Sequence, residues 1–195
     1  MARDTLAVVT DEALLVLYAN GDPDAARVLA QRLVPRVLGY AARLLADRTE
    51  AEDIAQEAML RLWRVAPDWR QGEARVSTWM YRVATNLCTD RLRLRKRRQT
   101  DALDLVAEPE DSAPPVVATL IEADRMAALT AALAALPDRQ REAVVLRHIE
   151  QLTNPEIAEI LQIGVEAVES LTARGKRALT AALATQRTAL GYEET

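Results

Sequence analysis

The sequence contains a cluster of carboxylates and a cluster of basic side chains, and each could bind a ligand of opposite charge. One carboxylate cluster lies in the first third of the chain, at Asp47, Glu50, Glu52, Asp53 and Glu57. A cluster of this kind can bind a metal ion, but a helical di-iron site also needs Glu-x-x-His pairs, and the one His lies in the other half. The helix dipole also favours carboxylates where a helix begins. We therefore expect a solvated helix start, with no metal ion and no cofactor.

Nucleophilic and redox chemistry have little support in the sequence. The chain has one Cys, Cys88, and one His, His148. A single Cys excludes an intramolecular disulfide and a Cys-based zinc site, so Cys88 is predicted to be a small buried hydrophobic residue. We expect no catalytic residues and a protein that is not an enzyme.

The basic residues are concentrated in one part of the chain. Residues 61–98 carry 11 basic and 3 acidic side chains, a local charge of +8 in a protein whose net charge is −4. This segment ends in the run RLRLRKRR at residues 91–98. A strongly basic region attracts polyanions such as nucleic acid, although a solvated helix end would have the same charge.

The composition predicts an all-α protein. Half of the 195 residues are hydrophobic, but only 4% are aromatic and none is Phe. Sheets select β-branched and aromatic residues, whereas Ala, Leu and Arg favour helix. The longest uncharged runs, residues 112–121 and 126–137, are shorter than the roughly 18 residues of a membrane span. We therefore expect a cytoplasmic protein with no membrane insertion.

An acidic, proline-containing segment divides the chain. Residues 99–118 contain five acids, no bases and three prolines, which prevent a continuous helix. Neither half shows strand-like alternation or an internal repeat. We predict two small helical domains, at 1–98 and 121–195, joined by a linker at 99–120.

Two helices are predicted in the first part of the first domain. One runs from Asp22-Pro23 to about Asp47, and a capping box at Thr49–Glu52 would start the next, which ends near Val65. The second of these helices exposes Asp53, Gln56, Glu57 and Leu60. An exposed Leu flanked by carboxylates and Trp63 indicates a partner surface, although a lone exposed Leu is also normal.

A third helix, from about Ser77 to Arg97, is predicted to have two distinct faces. Its core stripe would be Val76, Met80, Val83, Leu87 and Leu94. Another face carries Trp79, Arg82, Asn86, Arg93 and Arg97. Cations neutralise phosphates, amides read base edges and aromatic rings stack on unpaired bases, so this face suits nucleic acid. By spacing alone, Trp79 is equally well explained as a core aromatic covered by arginine stems.

The second domain has the spacing of a helix-turn-helix. A capping box at Thr153–Glu156 starts one helix, the small Ala158 permits a close crossing, and Gly164 lies in the turn. The recognition helix is expected at about Glu166 to Ala184. Any three-helix packing gives a similar periodicity, so that alternative stays open.

Three blocks of the chain resemble the bacterial extracytoplasmic-function sigma factors. AEDIAQEAMLRLW at 51–63 is similar to that family's core-polymerase-binding helix, and STWMYRVATNLCTDRLRLRKRR at 77–98 to its promoter-melting and minus-10-reading helix. LPDRQREAVVLRHIEQLTNPEIAEILQIGVEAVESLTARGKRAL at 136–179 is similar to its minus-35-reading domain. The blocks occur in the family's order, with an acidic linker where the family has one.

The resemblance implies a role for each face. The residues that would dock on the clamp helices of the polymerase β′ subunit are Asp53, Gln56, Glu57 and Leu60. The loop from Pro67 to Arg75 would hold the single-stranded minus-10 element together with Trp79, Arg82, Asn86, Arg93 and Arg97. The residues that would face minus-35 DNA are Ser170, Arg174, Lys176 and Arg177. The implied partners are core RNA polymerase, through its β′ and β subunits, promoter DNA and an anti-sigma factor.

Some positions depart from the family's pattern, all in the second domain. Gln151 and Gln162 stand where the family commonly has Gly, and Ala167, Glu169 and Leu171 replace a usual Thr, Lys and Arg. Two lost cations and one gained anion weaken the attraction for phosphate, so no minus-35 sequence is carried over.

The leading hypothesis is an alternative sigma factor that binds core polymerase, directs it to promoters and assists promoter opening. The alternative is a stand-alone helix-turn-helix regulator that binds duplex DNA without polymerase. That alternative accounts for residues 136–179 but leaves the basic helix and the exposed Leu60 without a function.

Overall fold

A computed structural model describes residues 6–70, 72, 75–101 and 117–184 of the chain. The regular structure of these residues is helical, as predicted. The helices are α1 (Asp11–Ala19), α2 (Pro23–Leu45), α3 (Arg48–Val65), α4 (Val76–Asp101), α5 (Val117–Ala134), α6 (Asp138–Val144), α7 (Asn154–Leu161) and α8 (Val165–Ala184). A 3-10 turn at Ala66–Asp68 follows α3, and a π-helical turn at Val145–Ile149 follows α6. Among the described helices, none combines the length and the hydrophobicity that a membrane span requires.

Helices α1 to α4 form a first bundle around α2. The Asp22 carboxylate caps α2 by accepting hydrogen bonds from the amides of Asp24 and Ala25 at 2.9 and 3.2 Å. The helix continues past Pro35 and ends at Leu45, and its C-cap residue Ala46 has the left-handed φ of 51°. Its buried side chains at helical spacing, which include Leu29, Leu33 and Val37, pack against α1, α3 and α4. This packing holds the outer faces of α3 and α4 in place.

The start of α3 differs from the prediction. Its N-cap is Asp47, whose carboxylate accepts a hydrogen bond from the Glu50 amide at 2.9 Å, and Thr49 already lies within the helix. Both Asp and Thr are good N-cap residues, so local sequence alone did not decide between them. The predicted apolar arc of α3 is correct, because Ile54, Ala58 and Leu62 are buried.

The core stripe of α4 is only partly the predicted one. Val76 and Met80 are buried, but Leu94 is 44% exposed because the last turns of α4 extend past the bundle. The buried side of the helix is shifted towards Tyr81 and Cys88. Polar residues such as the buried Thr85 lie on that side as well, so its apolar pattern was not recognisable in the sequence.

Helices α5 to α8 form a second bundle that contains the predicted helix-turn-helix. At the start of α7, in the predicted capping box, the Glu156 carboxylate accepts hydrogen bonds from the Thr153 amide at 2.9 Å and from the Thr153 hydroxyl at 2.6 Å. The chain turns at Gln162, which has the left-handed φ of 54°, before α8 begins. A close approach between α6 and α8 depends on Gly175, since a Cβ there would lie 2.5 Å from the Val144 Cγ2 atom.

The linker predicted at 99–120 is described only at its ends. Helix α4 continues to Asp101 and α5 begins at Val117. Residues 102–116 lie outside the described part of the chain. The two bundles nevertheless contact each other directly, mainly through α4 and α7.

Candidate protein and nucleic-acid interfaces

An apolar groove runs between α2 and α3 on the outer side of the first bundle. Its volume is about 390 Å³. The apolar side chains that line it are Ala30, Val34, Leu38, Ala55, Met59, Leu60 and Trp63. Glu52 and Gln56 also line it, and the Tyr18 ring packs against Trp63 at an interplanar angle of 50°, with a ring-centroid distance of 4.4 Å. A groove of this kind suits the apolar side of a partner helix.

Two of the four predicted polymerase-binding residues, Gln56 and Leu60, line this groove, and Asp53 and Glu57 lie elsewhere on α3. Leu60 is 42% exposed, and Gln56 lies one turn earlier on α3. Asp53 is also exposed, whereas Glu57 accepts a 2.8 Å hydrogen bond from Arg61. That hydrogen bond lowers the pKa of Glu57 and keeps its carboxylate charged. The structure therefore shows an apolar surface next to Gln56 and Leu60 that residue spacing alone did not reveal.

The predicted minus-10 residues lie along one side of α4. Trp79 is half-buried and meets Trp69 edge to face, with ring centroids 6.1 Å apart. Arg82 is partly exposed, while Asn86, Arg93 and Arg97 are exposed. The Trp79 ring thus supports the neighbouring loop while one side of it stays accessible. Of that loop, Gln71, Glu73 and Ala74 lie outside the described residues.

The basic run at 91–98 is divided between structural and exposed cations. Arg95 donates to the Leu45 carbonyl at 2.8 Å and pairs with Asp47 and Glu50, so it binds the end of α2 to the start of α3. Arg91 also lies 3.8 Å from Glu50. Arg93 projects from another side of α4, with its side chain 70% exposed and 3.7 Å from Asp90. Sequence reasoning missed this division, although the four-residue spacing of Arg91 and Arg95 was a signal for it.

The carboxylates considered as a metal site belong to this structural network. Asp47 caps α3, Glu52 pairs with Arg48 at 3.1 Å, and Glu57 pairs with Arg61. Among the residues that the structure describes, no three His, Cys, Asp or Glu side chains are grouped as metal ligands. Burial raises the pKa of the Cys88 thiol to about 12, so its nucleophilic thiolate form is scarce.

The predicted minus-35 residues do not all share one face of α8. Ser170, Arg174 and Arg177 lie on one side, and Arg174 donates to the Ser170 hydroxyl at 2.6 Å. Lys176 lies about 100–160° from these three residues around the helix axis, towards the π-helical turn. There burial first, then the charges of Lys176 and Arg147, lower the pKa of His148. Lys176 therefore belongs to a second basic group beside the helix-turn-helix.

The departures from the family's pattern have structural explanations. Gln151 and Gln162, which stand where the family commonly has Gly, have left-handed φ angles of 59° and 54°. Leu171 packs against the core of the second bundle, and Glu169 accepts a hydrogen bond from Asn154 at 3.3 Å. The residues that replace usual cations in α8 thus hold the two helices of the motif together.

Comparisons with known proteins match both bundles. The model of sigma-70 region 2 matches residues 29–99, and that of sigma-70 region 4 matches residues 126–179. The sigma factor SigW of Bacillus subtilis is 32% identical over 175 residues, covering 82% of this chain and 89% of SigW. The sigma-H factor of Pseudomonas aeruginosa is 31% identical over 183 residues, covering 89% and 93% of the two chains.

Solved structures show the same fold. RpoE of Bartonella quintana, in complex with the anti-sigma factor NepR, has a TM-score of 0.66 at 21% identity, covering 80% of this chain and 94% of that one. CnrH, in complex with the cytosolic domain of CnrY, also has a TM-score of 0.66, at 24% identity, covering 90% and 97%. The matches extend over both bundles, which a stand-alone helix-turn-helix regulator would not require. The chain belongs to the extracytoplasmic-function family of RNA polymerase sigma factors and acts as an alternative sigma factor that directs the polymerase to promoters.

Proposed function

We propose that the α2–α3 groove binds core RNA polymerase through the clamp helices of its β′ subunit. The contact residues would be Asp53, Gln56, Glu57 and Leu60. The observation that carries this proposal is the apolar groove itself, which places the exposed Leu60 beside Met59 and Trp63. Burial of such a surface is the main source of affinity in protein association.

The exposed side of α4 would bind the minus-10 element after the strands separate. Arg82, Arg93 and Arg97 would neutralise phosphates, Asn86 would hydrogen-bond to a base edge, and Trp79 would stack on an unpaired base. These roles are supported by the exposure of Asn86, Arg93 and Arg97. Arg91 and Arg95 pair with carboxylates at the start of α3, whereas Arg93 pairs with Asp90 of its own helix and stays 70% exposed.

The helix-turn-helix would place α8 against minus-35 DNA. Ser170, Arg174 and Arg177 share the side that would enter the groove, and Lys176 would contact the backbone beside it. Few cations and two exposed glutamates, Glu166 and Glu169, predict weak binding by this domain alone.

Further partners and the place of action follow from this function. The chain would contribute no catalytic residue, because the chemistry of RNA synthesis belongs to the polymerase. It would act in the cytoplasm, with promoter DNA and core polymerase, through the β and β′ subunits. An anti-sigma factor is a further proposed partner, one that covers the polymerase-binding and DNA-binding faces until the factor is needed.

A titration of labelled protein with core polymerase tests the central proposal. Gln56→Ala combined with Leu60→Ala should weaken binding by at least about tenfold, because it removes apolar contact area from the centre of the surface. Leu94→Ala is the matched control, since Leu94 is an exposed Leu of similar accessibility on α4. Equal affinity of the double variant and the control would show that the groove is not the docking surface.

A further inference from the structure

Helix α1 lies outside the part of the chain that matches the sigma-70 region 2 model, residues 29–99. It is nevertheless built into the first bundle. Leu14 and Leu15 are fully buried, and the helix contacts α2, α4 and the 3-10 turn that follows α3. These contacts bring α1 to the end of α4 that carries Trp79.

Glu12 of α1 caps the start of α4. Its carboxylate accepts a hydrogen bond from the Val76 amide at 3.0 Å. Val76 is the first residue of α4, and the first amides of a helix have no partner within the helix itself. Arg75, immediately before α4, has no side-chain oxygen that could accept this bond. The cap is therefore supplied by a residue 64 positions earlier in the chain, and the helix dipole favours its negative charge there.

Contacts at both ends of α1 fix the position of Glu12. At the start of the helix, Asp11 lies 2.9 Å from Arg32 of α2. At the other end, the Tyr18 ring packs against Trp63 of α3. All of these residues belong to the first bundle, so the cap that Glu12 provides does not depend on the position of the second bundle.

The turn that Glu12 caps also carries Trp79. The Trp79 amide donates to the Arg75 carbonyl at 3.0 Å and so closes the first turn of α4. The Trp79 ring meets Trp69 edge to face in the loop before the helix. Without a cap the first turn of a helix frays, and its side chains then lose their fixed position. The hydrogen bond of Glu12 therefore helps to determine where the Trp79 ring lies.

We propose that Glu12 is a positioning residue for recognition of the minus-10 element. It acts through the backbone of α4, where its hydrogen bond to the Val76 amide holds the first turn and with it the Trp79 ring. This inference rests on the proposed function, in which Trp79 stacks on an unpaired base. Glu12 itself contacts the protein and not the DNA.

Amide hydrogen exchange of the free full-length chain tests the cap without polymerase or DNA. Glu12→Ala should speed exchange of the Trp79 amide about fivefold, because loss of a cap weakens the first turn. Glu12→Gln keeps a side-chain oxygen and should stay within about twofold of wild type. Asp11→Ala is the matched control, since it removes the neighbouring carboxylate of α1, whose partner lies on α2. Equal exchange of the Trp79 amide in Glu12→Ala and Asp11→Ala would overturn the cap.

Promoter opening tests the positioning role. The probe is a promoter selected from random-sequence duplexes by the wild-type polymerase complex, with 2-aminopurine in its minus-10 element, whose fluorescence rises as the strands separate. Glu12→Ala should lower the equilibrium constant for opening about fivefold, whereas Glu12→Gln should stay close to wild type. The affinity of Glu12→Ala for core polymerase should equal that of the wild-type chain.

The other outcomes separate positioning from stability and from the proposed function. Opening by Glu12→Ala that equals wild type, or an equal loss of opening in Asp11→Ala, would mean that Glu12 only stabilises the fold. Trp79→Leu should also impair opening. If Trp79→Leu opens the promoter normally, the proposed role of Trp79 fails and the positioning role with it, while hydrogen exchange still decides whether Glu12 caps α4. A wild-type complex that selects no promoter would refute the proposed function itself.

Discussion

Individual residues of this protein owe their properties to neighbours from distant parts of the sequence. Glu142 is an example, because its side chain is only 4% exposed and contacts both Arg139 and Thr89. Burial raises the pKa of Glu142 despite the nearby Arg139. A carboxylate at the contact between the bundles is thus held where its charged form is disfavoured.

The raised pKa of Glu142 predicts a particular pH dependence of stability. The folded chain binds a proton at Glu142 more readily than the unfolded chain, so this contribution is fully present below a pH of about 4.5 and is lost as the pH rises through the raised pKa. Glu142→Gln is neutral at every pH. The difference in melting temperature, variant minus wild type, should therefore increase from pH 5 to pH 8 in thermal unfolding followed by circular dichroism.

Glu57→Gln is the control for this pH dependence. The pKa of Glu57 is lowered, so its contribution is present above a pH of about 4.5 and is lost as the pH falls through the lowered value. Its effect should therefore not change between pH 5 and pH 8. Parallel melting curves for Glu142→Gln and wild type over that range would contradict the assignment.

At the scale of elements, helix boundaries follow local chemistry where caps are strong. Asp22 and the Thr153–Glu156 box begin α2 and α7 as their sequences predict. The turn of the helix-turn-helix is less favourable, because Gln162 adopts a left-handed φ that costs a side-chain-bearing residue about 1 kcal/mol. The packing of α7 and α8 holds it there.

Gln162→Gly should therefore stabilise the second bundle. Relief of the left-handed strain, less the greater entropy of Gly in the unfolded chain, predicts a gain of about 0.5–1 kcal/mol, or roughly 1–4 °C in melting temperature. Gln162→Ala removes the same side chain but keeps the Cβ, so it should give no gain. If both variants shift the melting temperature equally, the side chain and not the backbone conformation is responsible.

At the scale of the whole molecule, the basic residues of α4 differ in where their partners lie. Arg91, Arg95 and Lys96 pair with carboxylates outside α4, whereas Arg93 pairs with Asp90 of α4 itself and lies with Arg97 on the exposed side of the helix. The net charge of −4 hides this local basic surface. Binding of promoter DNA should therefore depend on a few particular cations.

Arg93→Ala with Arg97→Ala should weaken promoter binding by the polymerase complex and reduce its salt dependence. Each lost contact with a single-stranded phosphate reduces the slope of log K against log salt by roughly 0.7. Arg48→Ala removes an 82% exposed cation from a different helix, α3, and should leave the slope unchanged. An unchanged slope in the double variant would mean that these two arginines are merely solvated.

The sequence by itself determined which residues share a face. Helical periodicity identified the exposed side of α3, the side of α4 that carries Trp79, Arg82, Asn86, Arg93 and Arg97, and the helix-turn-helix, because side chains 3.6 residues apart must point the same way. The order of the three blocks indicated the family. These inferences needed only local geometry and residue chemistry.

Only the tertiary structure decided what covers each face. The second buried side of α4, the pairing of Arg95 with the α2–α3 junction and the groove beside Leu60 all depend on which helices meet. The contacts of Thr89 with Glu142 and of Arg141 with Leu44 join residues 53 and 97 positions apart. Periodicity is a property of a single helix. The local sequence therefore does not indicate which faces are covered by elements that lie far away along the chain.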